Sequence, residues 1–98
     1  MLVNMAIDED PEGHEIIALS AMVPSFAGCR VVEIGCGDGR VTRRYAGAAE
    51  SVIAIDPDAR AVGELAGTLS NVDARAIGVN ELMLPPHSVD VVLFAWSL

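Results

Sequence analysis

The stretch Arg30-Val31-Val32-Glu33-Ile34, followed at once by Gly35-Cys36-Gly37-Asp38-Gly39, limits what this chain can fold into more than any other part of it. A short β-branched run that stops on glycine is the signal of a buried strand. Three glycines at alternate positions then give a loop with few side chains in the way. Such a loop turns tightly and lets a ligand approach the backbone closely. A helix placed behind it offers free N–H groups and the positive end of its dipole, a position that suits carboxylates and phosphates. A plain tight turn uses glycine too, so the loop has to be read with the rest of the chain.

Beyond the loop the chain alternates regularly. Val41 to Ala49 reads as a helix, with Val41 and Tyr45 inward and Arg43 and Arg44 outward. Ser51 to Ile55 is a second strand, closed by Asp56-Pro57. Asp58 to Leu69 is a second helix, with Ala61, Val62, Leu65, Ala66 and Leu69 on a helical period. Residues Asp73 to Val79 contain a third, weaker strand. The loop Leu84-Pro85-Pro86-His87-Ser88 leads to a fourth strand, Val89 to Ala95, apolar but for Asp90. Strands alternating with helices predict βαβ units, a parallel sheet and right-handed crossovers. Apolar runs without polar alternation predict cover on both sheet faces. The expected class is α/β, doubly wound. Ahead of it, Asp10-Pro11-Glu12 reads as a helix start, Ile16 to Met22 as its apolar continuation and Pro24 as its end. Five acids between Asp8 and Glu15 fit a solvated helix start. The chain thus divides into an N-terminal helical segment, 1–29, and an α/β half-domain, 30–98.

In such sheets ligands bind outside the carboxyl ends of the strands, and the residues there carry the chemistry. A dinucleotide fingerprint needs G-x-G-x-x-G, with its third glycine at position 40. Position 40 is Arg, and the glycine falls at 39. Asp56 closes the second strand 19 residues after Gly37. A carboxylate there can accept hydrogen bonds from the two hydroxyls of a ribose. Asp58 is the more natural cap for the following helix. Glu33 lies in an otherwise apolar strand, and a buried acid is costly unless it is paired. Its expected partner is either a cationic group of a ligand or the N–H groups of the loop. Cys36 reads as the small residue a glycine loop requires rather than as a nucleophile. His14 and His87 have no partners at metal-ligand spacing, so no metal site is expected. Phe94 and Trp96, at the end of the fourth strand, read as core packing first and pocket lining second.

With 98 residues, a net charge of −8 and six basic residues that are all Arg, the chain is acidic. An acidic surface repels phosphate backbones, which argues against a nucleic-acid partner. Cys29 and Cys36 fit neither a zinc knuckle nor a CxxC motif, so a reducing cytoplasm is the expected compartment. There is no signal-peptide pattern. The longest apolar run, Val91 to Trp96, is far short of a bilayer span, and no membrane partner is expected.

Val31 to Gly39 resembles motif I of the class I, Rossmann-like methyltransferases that use S-adenosylmethionine. Ile53-Ala54-Ile55-Asp56-Pro57-Asp58 resembles their second motif. Leu84-Pro85-Pro86-His87-Ser88-Val89-Asp90-Val91-Val92-Leu93 is similar to the "LPF…SFDVV" stretch of the small-molecule, type 11-like members. The three occur in family order and cover residues 31–95. The resemblance implies a Rossmann-like three-layer sandwich with strand order 3-2-1-4, S-adenosylmethionine as cofactor and a small-molecule methyl acceptor. It implies that Glu33 sits near the cofactor's amino group, directly or through water. Gly35, Cys36, Gly37 and Gly39 would line its methionyl and ribose part by backbone. Asp56 would hold the ribose hydroxyls, and Pro57 would pack beside the adenine. The adenine-edge position falls at Val79-Asn80-Glu81, with Asn80 favoured for its amide. No residue reads as a general base, and no catalytic residue is assigned.

Chains of this family continue beyond a fourth strand, whereas this one stops at Trp96-Ser97-Leu98, so a fragment or truncated frame is expected. With strand order 3-2-1-4, the fourth strand becomes a bare apolar edge and a route to self-association. Two other readings compete with the methyltransferase: a catalytically inactive cofactor- or partner-binding remnant, and a nicotinamide-type dinucleotide domain.

Overall fold

The computed structural model describes residues 2–7 and 26–97. Five strands form one sheet: β1 (Leu2–Ile7), β2 (Arg30–Ile34), β3 (Ser51–Ile55), β4 (Val72–Arg75) and β5 (Val91–Ser97). Between them lie α1 (Thr42–Tyr45), α2 (Ala59–Leu65) and a short 3-10 turn, η1 (Val79–Glu81). The spatial order is β1-β5-β2-β3-β4, and all four pairings are parallel. The 3-2-1-4 order expected for the four strands after residue 30 is therefore present. The chain steps outward from β2 through β3 to β4, then crosses back to place β5 on the other side of β2. That reversal, between β2 and β5, is the switch point where an α/β sheet opens a crevice at its carboxyl end.

Register decides which residues share a face. Val31 stands beside Val52 and Val91, and Glu33 beside Ala54 and Leu93. This face packs against the helices: Val41, Tyr45, Ala46, Val62 and Leu65 join Val31, Val52, Ala54, Val91, Leu93 and Ala95 in one buried core. Phe26 closes it, its ring 4.7 Å from that of Tyr45. The opposite face carries Val32 and Ile55, both buried, so the continuous apolar runs do reflect burial on two sides at these positions. Val41 and Tyr45 point inward as their spacing predicts. Asp58 caps α2, its carboxylate accepting from the N–H groups of Arg60 and Ala61.

The structure corrects two expectations. The N-terminal segment, 1–29, is expected to be helical, with no strand foreseen in it, but Leu2–Ile7 is a strand, paired in parallel with β5 from Leu2 opposite Val92 to Ile7 opposite Ser97. The physical reason is the bare edge of β5, whose backbone N–H and C=O groups have no other neighbour to pair with on that side. The same pairing covers the apolar edge of the fourth strand and removes the basis for self-association through it. The helix expected after Asp10-Pro11-Glu12 lies outside the described residues. At the other side of the sheet, β4 is short and carries an ion pair, Arg75 Nη2 to Asp73 Oδ2 at 2.7 Å. Short length and charge are what keep an edge strand from recruiting others. No helix among the described residues is long and apolar enough to cross a membrane.

Candidate functional site

The loop after β2 takes its shape from three glycines. Gly35, Gly37 and Gly39 have φ of 85°, 55° and 89°, a region that side chains rarely tolerate. Two of them need glycine for different reasons. A Cβ on Gly39 would lie 2.5 Å from Leu65 Cδ1, so this glycine lets α2 close onto the loop. A Cβ on Gly37 would meet nothing within 4 Å, so this glycine faces open space.

Four of the loop's amides are bonded within the protein. The N–H groups of Gly35 and Cys36 both donate to Ile55 O, at 2.9 and 3.0 Å, and that of Gly39 to Cys36 O at 3.0 Å. Gly37 N–H donates to Asp56 Oδ2 at 3.0 Å. The helix behind the loop is only four residues long, too short for a substantial dipole. The positive helix end expected behind the loop is therefore weak.

Asp56 stands at the carboxyl end of β3, half-buried. Besides bracing Gly37, its Oδ1 accepts from Asp58 N–H at 2.8 Å. Each carboxylate oxygen has a second lone pair, so the group retains capacity for further donors.

Glu33 is fully buried. Its Oε1 accepts the Thr42 hydroxyl at 2.7 Å and the Tyr45 hydroxyl at 2.6 Å. Its Oε2 is enclosed and has no hydrogen-bond partner among the described residues. Of the two partners foreseen for Glu33, no loop N–H group is found bonded to it among the described residues, and two α1 hydroxyls stand in that place. Sequence reasoning missed Thr42 and Tyr45 in this role. The signal was there: the two lie three apart on one helix face, opposite a buried acid. Burial raises the Glu33 carboxyl above its usual range, while the Tyr45 and Thr42 hydroxyls pull it back. Burial likewise raises the Tyr45 hydroxyl, with the Glu33 charge adding to it.

Cys36 sits in the middle of this group. Burial, then the charges of Glu33 and Asp56, then that of Asp38, push its thiol up to about 12. It stays protonated at neutral pH and is no nucleophile.

Glu33, Cys36, Gly37 and Asp56 thus form one connected site at the β2–β3 end. Pro57 follows Asp56 and is exposed; Asn80 is exposed in η1, beyond the end of β4. Glu81 turns inward on its own backbone, accepting from Gly78 N–H at 3.0 Å, which leaves Asn80 as the outward amide of that turn. Arg40, the residue that breaks the dinucleotide spacing, is exposed. No group of three or more His, Cys, Asp or Glu among the described residues is arranged to hold a metal ion.

Comparison with known proteins bears on this geometry. A methyltransferase-domain family model matches residues 31–98. A protein of Mycolicibacterium smegmatis, named a probable S-adenosylmethionine-dependent methyltransferase, is 36% identical over 80 residues, covering 82% of this chain and 31% of its own length. Phosphoethanolamine N-methyltransferase 1 of Triticum aestivum is 36% identical over 105 residues, covering 100% of this chain and 20% of its own length. The crystal structure of an S-adenosylmethionine-dependent methyltransferase from Mesorhizobium loti superposes with a TM-score of 0.70 at 29% identity, covering 85% of this chain and 40% of that one. The chain spans less than half the length of each of these relatives. With the glycine loop, the acid at the end of β3 and the strand order, these likenesses show that the chain belongs to the class I, Rossmann-like family of S-adenosylmethionine-dependent methyltransferases.

Proposed function

We propose that this chain is the cofactor-binding part of a methyltransferase, holding S-adenosylmethionine at the β2–β3 end while a small molecule accepts the methyl group. The observation that carries the reading is the acidic lining of the loop. Asp56 braces Gly37 N–H, Glu33 lies buried just ahead of the loop with one oxygen unpartnered among the described residues, and the Gly35, Cys36 and Gly39 amides are already bonded within the protein. A diphosphate needs free N–H groups and positive potential; this site offers the reverse. A ligand with a sulfonium, an ammonium and a ribose suits it.

The residues fit such a group. Open space at Gly37 admits it against the backbone. Asp56 has lone pairs left for the ribose hydroxyls, and Glu33 has an unpartnered oxygen for the amino end. Gly35, Cys36, Gly37 and Gly39 line its flank by backbone, Pro57 packs beside the base and Asn80 offers its amide to the base edge. When bound, the sulfonium supplies a methyl group with a good leaving group behind it. The chain's part is to orient it and to exclude water. Among the described residues no general base is assigned.

A small acceptor is supported by the net charge of −8, which disfavours nucleic acid, and by the phosphoethanolamine in the name of the Triticum relative. Cys29 and Cys36, whose spacing fits no disulfide framework, support the cytoplasm. The test is calorimetric titration of the chain with S-adenosylhomocysteine and with NAD. Binding of the first and not the second is expected, weakened at least tenfold by Asp56→Ala. Tighter binding of NAD would overturn the reading. A binding remnant without catalysis is the second reading; it predicts cofactor binding without methyl transfer.

A further inference from the structure

Thr42 and Tyr45 are the only hydroxyl groups on α1, and both are spent on one oxygen of one buried acid. Neither is required by the fold as such. A core helix can be built with Val and Phe at these positions, whose volumes are close and whose burial is at least as favourable. What the hydroxyls do is fix the Glu33 carboxyl in one orientation. With Oε1 engaged twice, Oε2 is left as a buried acceptor without a donor among the described residues. Leaving such an atom unsatisfied is unfavourable, and in native proteins it marks a place where a ligand or an ordered water completes the bonding.

We propose that Thr42 and Tyr45 are positioning residues of the cofactor site, acting through Glu33: their hydroxyls hold its Oε1 so that Oε2 is presented to the cation at the amino-acid end of the bound nucleoside. This rests on the reading of the site as an S-adenosylmethionine cradle. It goes beyond that reading in assigning the selectivity for the amino-acid end to two helix hydroxyls that do not touch the ligand.

The groups facing Glu33 are few. From β3 and β5 its neighbours are Ala54 and Leu93. From α1 they are Thr42 and Tyr45, and from the loop Cys36, itself facing Asp56 and Asp38. Cys36 and Tyr45 both stay neutral at ordinary pH, so among these groups Glu33 is the buried one that gains or loses charge. The hydroxyl bonds favour its charged form. Removing them therefore shifts its ionisation to higher pH, and with it the pH above which a cationic ligand binds well.

The experiment compares two ligands on the chain and its variants Tyr45→Phe, Thr42→Val, Thr42→Ser and Glu33→Gln. S-adenosylhomocysteine carries the amino-acid end; 5′-methylthioadenosine lacks it. Tyr45→Phe and Thr42→Val are expected to weaken S-adenosylhomocysteine about tenfold and leave 5′-methylthioadenosine unchanged. Their affinity-against-pH curves should move to higher pH, while Thr42→Ser behaves as wild type. Glu33→Gln should lose selectivity and pH dependence together. Equal weakening of both ligands would show a merely structural role and overturn the proposal. So would a wild-type affinity for S-adenosylhomocysteine that does not vary with pH, a measurement needing no variant. Failure of wild type to bind either ligand would instead overturn the cofactor reading itself.

Discussion

At the scale of single residues, the two glycines of the loop separate stability from binding. Gly39→Ala forces a Cβ into Leu65 at a backbone angle that already disfavours it. We expect a loss of about 2 to 4 kcal/mol in denaturant unfolding, combining overpacking with left-handed strain. Gly37→Ala meets no neighbour, so only the backbone strain remains, about 1 to 2 kcal/mol. Its larger effect should be on ligand affinity, because the methyl group occupies the cradle. Cys36 makes a third case. With its thiol at about 12, alkylation of Cys36 by iodoacetamide at pH 8, followed in a Cys29→Ser variant, should be negligible in the native protein and appear only on unfolding; rapid labelling of Cys36 in the native variant would show that the loop opens. Much at this scale is legible in the chain alone. The G-x-G-x-G spacing and Asp56 can be read there because each answers a local backbone or hydrogen-bonding need. The partners of Glu33 cannot, because a strand residue and a helix residue meet only once the crossover has folded.

The elements show a sheet fastened at both ends of β2. At its carboxyl end, Asp56 ties the loop to β3. At its amino end, Arg30 ties β2 to the start of β5: its backbone N–H and Nε both donate to Asp90 Oδ2, and its Nη2 to Asp90 Oδ1. The Arg30 hydrogen bonds bring the Asp90 carboxyl down to about 2. A carboxyl lowered by folding contributes stability that is present above the ordinary carboxylate range, near 4, and is lost as pH falls toward 2. Asp90→Asn should therefore flatten the fall of the thermal midpoint between about pH 4 and pH 2, and added salt should mimic it, since the pair is exposed to solvent. An unchanged acid slope would show that the pair adds nothing. Reading the elements from sequence worked where apolar period and turn chemistry agreed, as in α2, where Asp58 caps the helix and Val62 and Leu65 face inward. It overran in α1, expected from Val41 to Ala49 but four residues long. The turns after Tyr45 are held instead by Asn71, whose amide donates to the carbonyls of Ala46 and Ala49.

For the molecule as a whole, the unexpected element is β1. Leu2-Val3-Asn4-Met5-Ala6-Ile7 has no strict alternation and no strong turn signals around it, so its strand character comes from the neighbour it pairs with. Removing residues 1–7 should bare the edge of β5 and raise the associated fraction in light scattering. If the shortened chain scatters like the intact one, β1 does not guard that edge. The pairing also sets an order of assembly. β1 meets β5 only by closing a circuit through nearly the whole chain, and Arg30 meets Asp90 across 60 positions. By contrast, Glu33 reaches Thr42 across 9 positions and Tyr45 across 12, and Gly37 reaches Asp56 across 19. Short circuits close at little entropic cost and early; long ones close late. The polar contacts of the ligand cradle are thus among the first the folding chain can make, and the sheet that frames them is finished around a site already in place.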